Sequence, residues 1–88
     1  MAIWEKYATQ IDLSGCQVGY VKDVLEHCRE QGSAALIDDG TKVVVTWEVG
    51  EDAPVADLWD LRDVVEELEA NLSGYASHWQ IPKPERVP

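Results

Sequence analysis

The sequence predicts an α+β domain: a small three-stranded antiparallel sheet, made of an N-terminal strand and a β-hairpin, packed against two helices in the order β-α-β-β-α. Three observations carry this. Asp39-Gly40 stands between two apolar runs, residues 34–38 and 42–49, and an Asp-Gly pair in that setting is the strongest short-range hairpin signal. Val43, Val45, Trp47 and Val49 alternate with Lys42, Val44, Thr46 and Glu48, so the odd-numbered face of the second hairpin strand is expected to be core. Leu58, Leu61, Val65, Leu68 and Leu72 recur at intervals of three and four residues, the spacing of a buried helical seam.

The first element is the least clearly written. Over residues 3–13, Ile3, Trp4, Tyr7 and Ile11 fit a helix, whereas Tyr7, Thr9, Ile11 and Leu13 alternate as a strand does. Their β-branched and aromatic character favours the strand. Ser14 followed by Gln17 makes a capping-box pattern, with Leu13 and Val18 placed for the hydrophobic staple. Val18, Val21, Val24, Leu25 and Cys28 then form an apolar stripe that ends at Gly32, predicting a first helix over about 15–31. Gly15 and Gly19 each weaken its opening turns by ~1 kcal/mol relative to alanine, which moves the start towards Val18.

After the hairpin, residues 50–53 read as a turn, and Pro54 suits the first turn of a helix because its missing donor would have gone unpaired there. Gly74 ends or bends this second helix, while Tyr75 and Trp79 continue the spacing as a last packed turn would. Residues 81–88 carry three prolines and cannot continue a helix. They are expected to be an extended tail following a single domain over residues 1–80.

Eighty-eight residues with 45% apolar content can fill one core, and the four tryptophans carry much of it, since there is no phenylalanine and one methionine. The net charge of −10, with seven Lys and Arg, argues against direct contact with nucleic acid or an anionic membrane, because both require clustered cations. No apolar run approaches the ~20 residues of a membrane span, and the N-terminus lacks a signal-peptide pattern. A cytoplasmic protein is the expectation. Cys16 and Cys28, on one predicted helix, would stand about 18 Å apart and could not pair, which agrees with a reducing compartment.

The acidity is uneven. Residues 48–69 hold Glu48, Glu51, Asp52, Asp57, Asp60, Asp63, Glu66, Glu67 and Glu69 against Arg62 alone. On a helical wheel, Asp60, Asp63, Glu66 and Glu67 form a stripe opposite the leucine seam, and Trp59 falls inside it. A solvated helix face, with early acids complementing the helix dipole, accounts for the stripe. The functional reading is a negative ridge that docks on a basic protein groove. A tryptophan among carboxylates has the same two readings: covered by a strand or the tail, or ringed by polar groups as interface hot spots are. Trp47, in contrast, belongs to the core row.

No nucleophile elbow, phosphate loop or calcium loop is present, and the two cysteines and two histidines lack paired zinc spacing. Neither a cofactor nor a metal is expected. Cys16, near a helix start where thiol pKa falls, is the candidate for a small thiol enzyme; a structural cysteine is the simpler reading.

The size, the acid ridge and the lack of a catalytic signature are similar to those of phage-encoded inhibitors and nucleic-acid mimics, a likeness of charge and size rather than of any motif. The reading is therefore a non-enzymatic protein-binding module, with an inhibitor or nucleic-acid mimic among its forms, that presents Trp59, Asp60, Asp63, Glu66 and Glu67 to a basic protein surface. The alternative is a self-associating structural or assembly protein, a homo-oligomer joined through Trp59 or the apolar edge of the hairpin. The charge yields one test directly: a gel shift with micromolar protein and duplex DNA at ~0.15 M salt should show no complex. A clear shift would mean that folding gathers the seven cations into a basic patch.

Overall fold

The computed structural model describes residues 4–14, 17–75 and 81–88. Strand β1 (Glu5–Asp12) leads through a 3-10 turn (Val18–Tyr20) into helix α1 (Val21–Gln31); strands β2 (Ser33–Ile37) and β3 (Lys42–Val49) follow, then helix α2 (Leu58–Leu72) and strand β4 (Glu85–Val87). The fold is α+β with two helices, as predicted. The sheet, however, has four strands rather than three, all antiparallel, in the order β2-β3-β1-β4.

The fourth strand comes from the predicted tail. Ile81 is buried at 9% exposure, Thr9 donates its hydroxyl proton to the Pro82 carbonyl at 2.7 Å, and residues 85–87 pair with Lys6, Tyr7 and Ala8 of β1. Prolines at positions 82, 84 and 88 are compatible with this because an edge strand can do without some of its donors. They disguise the element by interrupting any longer β pattern.

β3 meets the expectation fully: Val43, Val45, Trp47 and Val49 are buried while the residues between them are half-exposed. In register with them on β1 stand Ile11, Thr9 and Tyr7. Val24 and Cys28 of α1 and Leu61, Leu68 and Leu72 of α2 complete the same core cluster, so both helices cover one face of the sheet. Each such aliphatic side chain contributes roughly 1.5–3 kcal/mol relative to exposure.

The loops depart from the sequence reading in three places. The hairpin is closed by residues 38–41, not by Asp39-Gly40 alone: Asp38, Asp39 and Gly40 all have positive φ, and both the amide and the hydroxyl of Thr41 donate to the Asp38 carbonyl. Aspartate tolerates this left-handed region better than most residues. α1 begins at Val21, after the 3-10 turn and later than the sequence reading placed it, and the Ser14 amide donates to Asp12 Oδ1 at 2.8 Å. That bond, with Lys42 across the ladder, holds the Asp12 carboxyl below its usual range.

Pro54 does not open α2. It precedes Val55, whose amide donates to the Glu48 carbonyl and whose carbonyl accepts from Gly50 N–H, forming a parallel bridge to Val49. The helix starts three residues later, where Asp57 is the N-cap and its Oδ1 accepts from Asp60 N–H at 2.9 Å. At the other end Ser73 caps the helix, and Tyr75 meets α1 through His27 Nε2 at 3.1 Å and the preceding 3-10 turn through the Tyr20 ring at a 5.4 Å centroid distance. The proposed continuation through Trp79 and the geometry of Gly15 and Cys16 lie outside the described residues.

Gly32 ends α1 for a reason of space. Its φ of −170° is extended backbone, open to any residue, but a Cβ there would stand 2.7 Å from the Thr46 carbonyl oxygen and 2.9 Å from the Trp47 ring. Trp47 is 2% exposed, and its indole N–H finds no acceptor among the described residues. We expect Gly32→Ala to lower stability by ~1–3 kcal/mol through overpacking, read from the urea midpoint. An unchanged midpoint would show that β2 and the indole separate without strain.

Candidate functional site

The first turn of α2 is where the predicted seam and the folded core part company. A repeat of three and four residues averages 3.5, short of the 3.6 of an α-helix, so the row drifts ~20° per heptad. Leu61, Leu68 and Leu72 stay on the buried side, whereas Leu58, two heptads before Leu72, has turned to the flank and is 56% exposed. The assignment of Leu58 to the core is thereby corrected. Trp59, next to it, is 73% exposed.

Leu58 and Trp59 overhang a groove of about 780 Å³ between α2, β1 and the chain that leads into β4. Leu61, Val65 and Ile81 form its apolar floor, and Tyr7, Lys83 and Pro84 face the helix across it. Arg62 and Glu66 sit on the helix side, joined by an ion pair at 3.2 Å. Both are exposed, so the pair contributes little to stability. The Tyr7 hydroxyl donates to Glu5 Oε2 at 3.2 Å; burial, then the Glu5 carboxylate, raises its pKa above the usual phenol value. At neutral pH Tyr7 therefore presents a neutral hydroxyl to the groove.

The structure divides the five residues picked from the sequence. Trp59 and Glu66 line the groove; Asp60, Asp63 and Glu67 are exposed on α2 but do not line it. The lining itself holds two cations, Arg62 and Lys83, against one carboxylate, Glu66. An apolar slot of mixed charge thus lies beside a purely acidic ridge. Sequence reasoning missed Leu58, Tyr7, Ile81, Lys83 and Pro84. Phase drift could have revealed Leu58, whereas the others depend on the tail folding back.

The chemistry available elsewhere is limited. Cys28 is fully buried, and its burial pushes the thiol pKa up to about 11, away from nucleophilic reactivity. His27 bonds to Tyr75 and lies 3.8 Å from Glu30. Among the described residues there is no group of three or more His, Cys, Asp or Glu able to hold a metal, and no helix long and apolar enough to cross a membrane.

In a Cys16→Ser variant, Cys28 should resist a thiol reagent at pH 7 until the chain unfolds; labelling at the rate of a free peptide would contradict its burial. The unfolded thiol ionises near 9.0 and the folded one near 11, so the stabilising effect of the protonated thiol is complete below 9.0 and is lost as pH rises towards 11. Denaturation midpoints across that window, compared with a Cys28→Ala control in the same background, should show this loss. Comparisons with protein families, curated proteins and solved structures find no match to this chain.

Proposed function

We propose that the chain is a protein-binding module that docks on a basic protein surface through the first two turns of α2, with Trp59 as its anchor. The observation that carries this reading is the placement of Trp59, 73% exposed beside the 56% exposed Leu58, over an open apolar groove. Burying these two side chains in an interface would recover hydrophobic free energy that the isolated chain forgoes. Asp60, Asp63 and Glu67 lie on the same helix, where they would steer a cationic partner during approach and set its orientation.

The division between slot and ridge suggests a division of labour. The apolar slot supplies the slow dissociation of a buried anchor, and the ridge supplies fast, salt-sensitive association. A partner suited to both presents an apolar side chain for the groove and Lys or Arg for the ridge. Such a partner includes a protein whose basic groove ordinarily holds nucleic acid, in which case the module acts as an inhibitor by occupying that groove.

Trp59→Ala should leave the melting temperature nearly unchanged, since the side chain packs little, while weakening the complex by ~2 kcal/mol or more. Reversal of Asp60, Asp63 and Glu67 should slow association, an effect that salt above ~0.15 M masks. The measurement is a pull-down from the native host with the wild type and both variants in parallel, followed by kinetics on the captured protein. A partner retained by folded Trp59→Ala at wild-type affinity would remove the anchor role, and the acids would then be a solvated face.

A further inference from the structure

Hydrogen-bond parity along the sheet determines which backbone groups of β2 face away from it. Val49 pairs with Glu5 on one side of β3 and bridges to Val55 on the other, where Glu48 and Gly50 supply the bonding groups. Even-numbered residues of β3 therefore direct their N–H and C=O towards β2. Opposite Thr46, Val44 and Lys42 stand Ser33, Ala35 and Ile37, so these three bond inward, and Ala34 and Leu36 point their backbone groups outward. Arg29 agrees with this parity, since its Nε donates to the Ala34 carbonyl at 3.5 Å from α1. No strand among the described residues lies on that outer side of β2.

The two edges of the sheet are built differently. β4 is three residues long, contains Glu85 and Arg86, and is flanked by Lys83, Pro84 and Pro88, all devices that discourage further strand pairing. β2 reads Ser-Ala-Ala-Leu-Ile, with neither charge nor proline, in a chain of net charge −10. Ala35 is exposed and Leu36 is 42% exposed. This edge carries none of the usual protection within the strand.

We propose that β2 pairs with β2 of a second copy of the chain, antiparallel about a two-fold axis at Ala35, joining the two sheets into one. In that register the outward groups of Ala34 meet those of Leu36 in the second copy, and the reverse, with the Ala34 carbonyl, which Arg29 reaches at 3.5 Å, accepting the second donor on its other lone pair, so the edge is self-complementary as a two-fold contact requires. The charges at its ends favour the same arrangement. Arg29 lies near the start of β2, and Asp38, ion-paired with Lys42 at 3.7 Å, and Asp39 follow its end, so antiparallel pairing sets Arg29 against Asp39 at both ends. Parallel pairing would set like against like. The groove beside Trp59 lies at the β1–β4 side of the sheet, so the dimer leaves two docking surfaces free, and a partner with repeated sites would be held by both.

Light scattering on size-exclusion fractions up to ~0.5 mM chain should give the mass of two chains. Ala35→Lys places two like charges opposite each other at the axis and should raise the dimer dissociation constant about tenfold or more. Ala35 and its counterpart form a non-hydrogen-bonded pair with Cα atoms ~4.5 Å apart, within disulfide reach. In a Cys16→Ser background, Ala35→Cys should therefore give a disulfide-linked dimer under mild oxidation, and Glu26→Cys, exposed on α1, should not. A wild type of single-chain mass at that concentration would overturn the proposal. So would a dimer that folded Ala35→Lys retains, or cross-linking no better at Ala35→Cys than at Glu26→Cys.

Discussion

The inward row of β3 is the surface on which the rest of the chain closes. Val43, Val45, Trp47 and Val49 point to one side because a pleated strand alternates its side chains, and β3 has β1 along one flank and β2 followed by Val55 along the other. Each helix can bury its stripe there. Trp47 sets the tightest limit: its ring reaches the backbone at Gly32, so the end of α1 and the start of β2 must pass without a side chain between them. Its buried indole N–H, without an acceptor among the described residues, costs ~1–3 kcal/mol, a penalty set against the largest apolar side chain in the core.

The exposure of Trp59 follows from how α2 meets that surface. A seam of 3.5-residue period can face a flat sheet over only part of its length, and here the later leucines lie on the core. The first turn overhangs. Asp57 secures it there by capping Asp60, so the exposed Leu58 and Trp59 belong to an ordered helical turn and not to a frayed end. A rigid anchor loses less entropy on binding than a mobile one.

Charge and shape are distributed along the sheet. At the β4 side, prolines, charges and the returning chain blunt further pairing while forming one wall of the groove. At the β2 side, the strand is plain and its outward groups have Arg29 as a neighbour. The two surfaces proposed for contact are thus separated by the width of the sheet and depend on different forces. One combines an apolar anchor with long-range attraction, and the other relies on backbone hydrogen bonds with short-range charge pairing.

The sequence alone determined the elements whose signals are local. Alternation exposed the core face of β3, the Asp-Gly pair located the hairpin, and the helical wheel put Trp59 away from the buried leucines; each pattern is set by backbone geometry within a few residues. Tertiary structure decided what depended on distant partners. Residues 85–87 became a strand because β1 offered them an edge, and Pro54 was left outside α2 because Val55 found β3. The groove exists because Ile81, Lys83 and Pro84 return to Tyr7 and α2. The segments that meet lie far apart in the chain, and no local periodicity records which of them meet.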